Sequence, residues 1–526
     1  MQPPMLNGRF RAIFLFGATL LALSGCTSKA ERANEFYVNA QQYMSYNNLP
    51  AAARELQLAV AVRDDVPDIW YALGQVRLAG GSMPEAFTAF TRADELRPGD
   101  VNILRPLAYT GYMIGATRLS KDAVDRLLVL APSDPQGLAV KGLLALDKGE
   151  TATTLESAEA ILTAAPNDET GLMLKARAIA IQGDIDAGIK LLEDAAKAAG
   201  SKSGLNFSLL QFYRAKGDID GMIGIFPGLI ESQKQNYELA LEYCNLLYRA
   251  GKTDEARKVW SDTVLAARAD ARFIAWAFEF YDMMESAVSP AYLDQRISRV
   301  GPSPLRTAAG QYLVLRKEYA RAAALLSQGK GVADLDRGIY AVALDGLGRR
   351  GEAQTLVNAM LGAIDQRQDP NALMLRARWA LAAKNFDRAN ADAQNAVIAD
   401  PSNIEARFVL AESYRIKDQQ IRVRQVLAQA MRDLPRNRRV LVAYLQFLNS
   451  IGDSASAISA ARNFADANRS QPWGWGILAQ TCQKANDQAC VVSAARFQQL
   501  ALRDLTFTNP ARPVRMRGLF SPLPAV

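Results

Sequence analysis

Small and apolar residues recur along this chain at two nested spacings. The short one is the helical turn: Trp70, Leu73 and Gly74 stand three and four residues apart, as do Ala86, Phe90 and Ala93, and Pro98 follows the second group. Residues so spaced share one face of an α-helix, so each group predicts a helix, and Pro98 marks the stop of the second. The long spacing is 34 residues, and it is plainest near the C-terminus. There Ala377, Ala389, Ala396 and Pro401 are followed by Ala411, Ala430 and Pro435, then by Leu445, Ala457 and Phe464, then by Trp475, Leu478 and Ala479. The middle keeps the phase more weakly, through Gly111, Gly142, Ala176, Leu210 and Cys244, and a degenerate first copy has Phe36, Ala40, Tyr43, Ala52 and Ala59. Alternation of the β type is almost absent, so the pattern predicts helices in pairs from end to end.

The order W-x2-L-G…A-x3-F-x2-A…P carried by Trp70 to Pro98 resembles the tetratricopeptide repeat, with Arg77 where that family usually has Tyr. The resemblance covers nearly everything after Glu31. It implies an all-α fold, a right-handed superhelix or α-solenoid of about 12–14 helix-hairpin repeats. The pattern has a physical reading as well. Gly74, Ala86 and Ala93 let two helices approach, while Trp70, Leu73 and Phe90 fill the space between neighbouring pairs.

The first residues read as an address. Arg9 and Arg11 precede an uncharged apolar run from Ala12 to Leu23, the charge order and length of a secretory signal and too short for a stable membrane span. The run ends in Leu23-Ser24-Gly25-Cys26, which resembles the lipobox of bacterial lipoproteins. That resemblance implies a covalent lipid on Cys26 as the only membrane attachment, with no other cofactor. With Thr27 and not Asp after the Cys, it points to the periplasmic face of the outer membrane. The expected organisation is a signal peptide over 1–25, a lipidated linker over 26–32 and an N-terminal array over 33–288. A proline-rich joint over 289–304, a C-terminal array over 305–504 and a Pro/Arg-rich extended tail over 505–526 complete it. The joint rests on Pro290, Pro302 and Pro304, which interrupt helices or force a restart; the alternative is a repeat with a Pro-capped second helix and a long loop.

Composition removes much of enzymology. The 526 residues include no His, so imidazole-dependent triads, His-ligated zinc and His-ligated haem are excluded. The four cysteines, Cys26, Cys244, Cys482 and Cys490, lack metal-cluster spacing, and no phosphate-binding glycine motif or calcium-loop spacing is present. Glu285-Ser286 matches the catalytic pair of α-superhelical lytic transglycosylases, but the following Ala-Val-Ser-Pro-Ala-Tyr lacks the rest of that motif. A non-enzyme is expected, with no metal. The charge is uneven: residues 367–526 carry 22 Lys plus Arg against 12 Asp plus Glu, and the preceding part is net acidic. Arg422, Arg424, Arg432, Arg436, Arg438 and Arg439 stand close together, either to steer an acidic partner or polysaccharide to this half or as a solvated helical face. Nucleic acid is not expected for an exported chain, despite a pI near 9.1.

In such arrays the first helix of each pair lines a concave groove. On its free face Tyr37 and Gln41, Tyr71 and Gln75, and Tyr112 form an aromatic and amide track suited to peptide or glycan, or else pack within the superhelix. In the frame anchored on Trp475, Cys482 falls late in a first helix and Cys490 early in the second. The turn through Lys484-Ala485-Asn486-Asp487 would bring them together as a disulfide, the alternative being two reduced core thiols. The functional expectation is a scaffold that binds envelope proteins or peptide segments in an assembly such as polysaccharide export, a pilus or secretion. A quality-control or peptidoglycan-enzyme adaptor, and a carbohydrate-active enzyme on a solenoid, are the alternatives.

Overall fold

A computed structural model describes residues 28–199, 203–284, 287–327, 336–362 and 369–503, together with Leu519 and Leu523. The expected signal peptide, Cys26, Glu285-Ser286 and most of the Pro/Arg-rich tail lie outside the described residues. Among the described residues there are 28 α-helices and no strand, so the fold is an all-α helical repeat, and in chain order the helices make fourteen pairs. They fall into two compact units. One runs to Lys216 and includes Leu519 and Leu523; the other begins at Gly217.

The first unit holds α1 (Lys29–Ser45), α2 (Leu49–Val62), α3 (Pro67–Ala79), α4 (Met83–Leu96), α5 (Val101–Ile114), α6 (Thr117–Leu130), α7 (Pro135–Asp147), α8 (Thr151–Ala164), α9 (Glu169–Ile181), α10 (Ile185–Ala199) and α11 (Ser203–Lys216). The second holds α12 (Ile219–Ser232), α13 (Tyr237–Arg249), α14 (Thr253–Ala266), α15 (Ala271–Met284), α16 (Ala291–Ser298), α17 (Pro304–Leu315), α18 (Tyr319–Ser327), α19 (Arg337–Gly346) and α20 (Arg350–Gly362). It continues through α21 (Pro370–Ala382), α22 (Phe386–Ala399), α23 (Ile404–Ile416), α24 (Gln420–Asp433), α25 (Arg438–Ser450), α26 (Ser454–Ala467), α27 (Pro472–Lys484) and α28 (Gln488–Arg503).

Local chemistry sets these boundaries. Asp100, Asp134 and Asp168, 34 residues apart, each accept a backbone N–H of the first turn of α5, α7 and α9, and Asp369, Asn403 and Asn437 do the same for α21, α23 and α25. Among the described residues, most reversals inside a pair use one residue in the left-handed region. Gly81, Gly115, Gly149, Gly183, Gly217 and Gly251 supply it with φ between 74° and 104°, and Asn47, Lys317, Lys384, Asp418 and Asn486 do so without glycine. Small residues sit where helices meet, as expected: Ala86, Ala93, Ala389 and Ala396 are fully buried.

The prolines of the expected joint fall at helix starts. Pro290 is the N-cap of α16 and Pro304 the first residue of α17, two places where a missing N–H costs nothing. Leu293 and Ile297 of α16 are buried in the same cluster as Trp260 and Tyr281, so the segment is an ordinary second helix cut to eight residues. The prolines shorten the repeat and leave the array unbroken. First helices begin at Ala271, Pro304, Arg337 and Pro370, 33 residues apart, and return to 34 from Ile404. The division between units falls after Lys216 instead, inside the stretch expected to be one N-terminal array.

Candidate protein-binding grooves

The first helix of each pair presents the same columns of side chains at each repeat. Tyr37 on α1 and Tyr71 on α3 share one column; Gln41 and Gln75 share the next, one turn on. Tyr37 is half-buried against the cluster of Ala40, Leu56 and Leu73, and Gln41 is exposed. Gln75 donates from Nε2 to the Tyr71 hydroxyl at 3.0 Å, and the Tyr71 ring tilts against Phe90 at 5.9 Å between centroids. These two side chains therefore combine a packed ring with an exposed amide.

Tyr112 does not belong to the open track. It is 1% exposed, packs in the core with Leu104, Leu107 and Leu143, and donates its hydroxyl to Asp147 Oδ1 at 3.2 Å. The reason is register. The column of Gln41 and Gln75 reaches Tyr109 on α5, and Tyr112 lies a further turn along, on the face turned to the core; Tyr109 is the exposed one, at 39%.

Carried two more periods, the same column reaches Arg177 on α9, a residue that sequence reasoning missed. Arg177 is 3% exposed, and burial lowers its pKa to about 10 against the opposing fields of Asp147 and Tyr112. Its Nη1 donates to the backbone carbonyl of Leu519 at 2.8 Å. Following the Gln75 column through the weak middle repeats would have found it, but a lone Arg in a helix reads as solvated surface.

In the second unit the inner faces of α15, α17, α23 and α25 enclose a cavity of about 810 Å³. Phe278, Tyr312 and Phe408 give it aromatic walls; Glu279, Asp282, Arg316, Arg436, Arg438 and Arg439 give it both signs of charge. Burial raises the pKa of Glu279 and lowers that of Arg436, and each partly offsets the other's shift. Asp282 pairs with Arg316 at 3.3 Å, and that guanidinium lies over the Tyr312 ring.

The arginine cluster expected to form one basic face is divided between two tasks. Arg424 pairs with Asp453 at 2.5 Å and Arg439 with Glu405 at 2.6 Å, both joining neighbouring repeats, and Arg422 covers the Tyr414 ring. Arg436, Arg438 and Arg439 reach the cavity. At the end of the array a disulfide joins Cys482 and Cys490, with Cα atoms 5.7 Å apart, across the turn between α27 and α28. Cys244 is a buried free thiol whose pKa burial drives up strongly. Among the described residues no group of Cys, Asp or Glu is placed to hold a metal ion, and no helix is long and apolar enough to cross a membrane.

Helical hairpins repeated at 33–34 residues, with capped first helices that line grooves, define the class: an all-α repeat scaffold. The family model of the tetratricopeptide repeat matches residues 37–101, the span of α1 to α4. Residues 37–101 therefore carry tetratricopeptide repeats, a fold that serves protein–protein interaction, and the helix pairs that follow keep the same 33–34-residue period. Solved structures similar to parts of it include TTC0263, a thermophilic protein of this kind from Thermus thermophilus. It is 20% identical, with 35% of this chain and 99% of that one covered and a TM-score of 0.32. YrrB, described as having an unusual peptide-binding site, is 15% identical over 36% of this chain and 95% of its own, with a TM-score of 0.30. PilF of Pseudomonas aeruginosa is 14% identical over 40% and 97%, with a TM-score of 0.31. No curated protein matches the sequence.

Proposed function

We propose that this protein is a non-catalytic scaffold tethered by an acylated Cys26 to the periplasmic face of the outer membrane, where it gathers the components of an envelope assembly. One observation carries the reading. The array begins at once after the lipobox: Cys26 is followed by the capping box of Ser28 and Glu31, and α1 starts at Lys29. A lipid on Cys26 would therefore hold the first hairpins at the membrane surface, with the remaining repeats extending the reach of the array. Two acyl signals suffice for stable anchoring at about 0.8 kcal/mol per buried CH₂. The grooves, with aromatic and charged walls, suit extended polypeptide segments better than a single small substrate.

The test has two parts. In the first, Cys26→Ser should abolish labelled-palmitate incorporation and leave the protein either soluble or with its signal uncleaved. Retention in the outer membrane with the signal removed refutes the anchor. In the second, the acylated protein is purified from detergent-solubilised membranes. A fixed, stoichiometric set of envelope proteins is the expected result; a shifting, substoichiometric set would favour the quality-control adaptor. Turnover of polysaccharide or peptidoglycan by the purified protein would overturn the non-catalytic reading.

A further inference from the structure

The cavity of the second unit has facing walls, with α15 and α17 on one side and α23 and α25, from a later stretch of the array, on the other. Its volume of about 810 Å³ lies within the range of small-molecule sites, about 300 to about 1,000 Å³. Its charges do not cancel. Four arginines reach it, Arg316, Arg436, Arg438 and Arg439, against two carboxyls, Glu279 and Asp282. Asp282 is taken by Arg316 at 3.3 Å, and Arg439 by Glu405 at 2.6 Å. Arg436 and Arg438, which flank Asn437 at the start of α25, remain. Among the described residues neither makes a hydrogen bond or an ion pair, although Arg436 is half-buried and feels the charge of Glu279. A guanidinium that burial strips of water and that no acceptor meets is the open half of an ion pair.

The remaining balance sets the charge of a ligand. Two free guanidiniums face one carboxyl, a surplus of a single positive charge while Glu279 is ionised, so one negative charge completes the site. Burial pushes Glu279 towards its protonated form, and beside a bound anion it can then donate an O–H instead of opposing it. The planar fork of an arginine matches the two oxygens of a carboxylate. The rest of the lining is largely apolar: Phe278 and Phe408 give ring faces, and Leu315, Ile404, Leu434 and Val442 give aliphatic ones. An inorganic anion would leave these walls uncovered, and a neutral hydrocarbon would leave the guanidiniums unmet. We propose that this cavity binds a small amphipathic carboxylate, its head on Arg436 and Arg438 and its apolar body against Phe278, Phe408 and Val442. The ligand is held and not turned over. The inference goes beyond the scaffold reading, since polypeptide bound elsewhere along the array is compatible with a compact ligand here, and neither depends on the other.

The experiment uses the full chain with Cys26→Ser, so that no acyl group competes, and the fluorescent carboxylate dansylaminoundecanoate, whose emission rises and moves to the blue in an apolar site. One saturable site is expected. Decanoate should displace the probe, and decan-1-ol, which lacks the charge, should need a concentration higher by about 10-fold or more. Arg436→Gln should weaken probe binding by about 10-fold or more, whereas Glu279→Gln, which removes the opposing carboxyl, should leave it unchanged or tighter. Ala275→Trp, at an exposed position of the cavity wall, should abolish binding by filling the chamber while helicity by circular dichroism is retained. No saturable binding, equal displacement by the alcohol, or undiminished binding by the folded Arg436→Gln or Ala275→Trp protein refutes the site. Weaker binding by Glu279→Gln would mean that the ligand carries a positive charge to that carboxyl, and displacement by decyl phosphate at lower concentration than by decanoate would make the head group a phosphate; either result overturns the carboxylate assignment.

Discussion

Replacing Gly74 with Ala tests the packing logic of the repeat at one atom. A Cβ on Gly74 of α3 would sit 2.5 Å from Cε1 of Phe90, 2.7 Å from Cδ1 and 2.8 Å from Cζ. Carbon atoms pack at about 3.5–4.0 Å, so the ring would have to retreat by about 1 Å. It has little room, being fully buried with Tyr71 against it. Two effects oppose each other. Alanine in a helix interior gains about 1 kcal/mol over glycine, and overpacking a filled core costs about 1–3 kcal/mol. The net expectation is a loss of up to about 2 kcal/mol. Gly224 in α12 supplies the contrast, since it is exposed and a Cβ there would meet nothing within 4 Å. Gly224→Ala should gain the full ~1 kcal/mol. The two sites lie in different units, so each is read locally, as the change in amide hydrogen-exchange protection of α3 and α4 or of α12. In a Gly74→Ala background, Phe90→Leu should cost less than it does alone, a coupling of about 0.5–3 kcal/mol. A Gly74→Ala protein stabilised as much as Gly224→Ala would refute the claim that this glycine exists to admit the ring.

Three further outcomes are expected. Arg306 and Asp336, side chains 2% and 1% exposed, form an ion pair at 3.5 Å, so Asp336→Ala should cost about 3–5 kcal/mol in urea unfolding by leaving the guanidinium only the Leu326 carbonyl and no counter-charge, whereas Arg306→Met/Asp336→Leu should be near neutral; equal losses would show that the charge pair is not what matters. Glu279 titrates above the ordinary carboxylate value because burial disfavours its charge, so the fold holds this proton more tightly than the unfolded chain does, and stability falls as pH rises through the folded value. Glu279→Gln should then raise stability at pH 7 and leave it unchanged below about pH 4, and a gain of the same size at both pH values would refute the assignment. With Cys26 acylated as proposed, thiol counting on the unfolded, unreduced protein should find one reactive thiol, at Cys244; three would mean that Cys482 and Cys490 are reduced in the cell.

How far the sequence disclosed this molecule depended on the range over which each feature is encoded. The helix pairs are written locally, in Trp70, Leu73, Gly74 and their counterparts 34 residues on, and in caps such as Asp134 and Asn403 that satisfy the N–H groups beside them. Prolines at 290 and 304 left two readings open, a joint or a Pro-capped helix, because Pro is foreign to a helix interior yet at home at its start, and sequence alone does not show which position is occupied. Tyr112 misled by one turn: an aromatic side chain with a polar tip suits groove and core alike, and the choice is made by whether Asp147, on a different helix, meets its hydroxyl. The division after Lys216 left no trace, because the repeat phase runs through it unbroken.

The contact between Arg177 and Leu519 lies at the far end of that scale. It joins residues 342 apart, one on a helix whose repeat pattern is faint and one in a segment with no pattern at all. A repeat array makes such contacts hard to foresee for a physical reason: almost all its stability comes from neighbouring hairpins, so its periodicity reports packing and is silent about what the concave face holds. A buried arginine in a groove column is the exception that sequence can offer. Desolvating a guanidinium is costly enough that a buried Arg177 demands acceptors, and the Leu519 carbonyl, brought by a distant part of the sequence, is one of them.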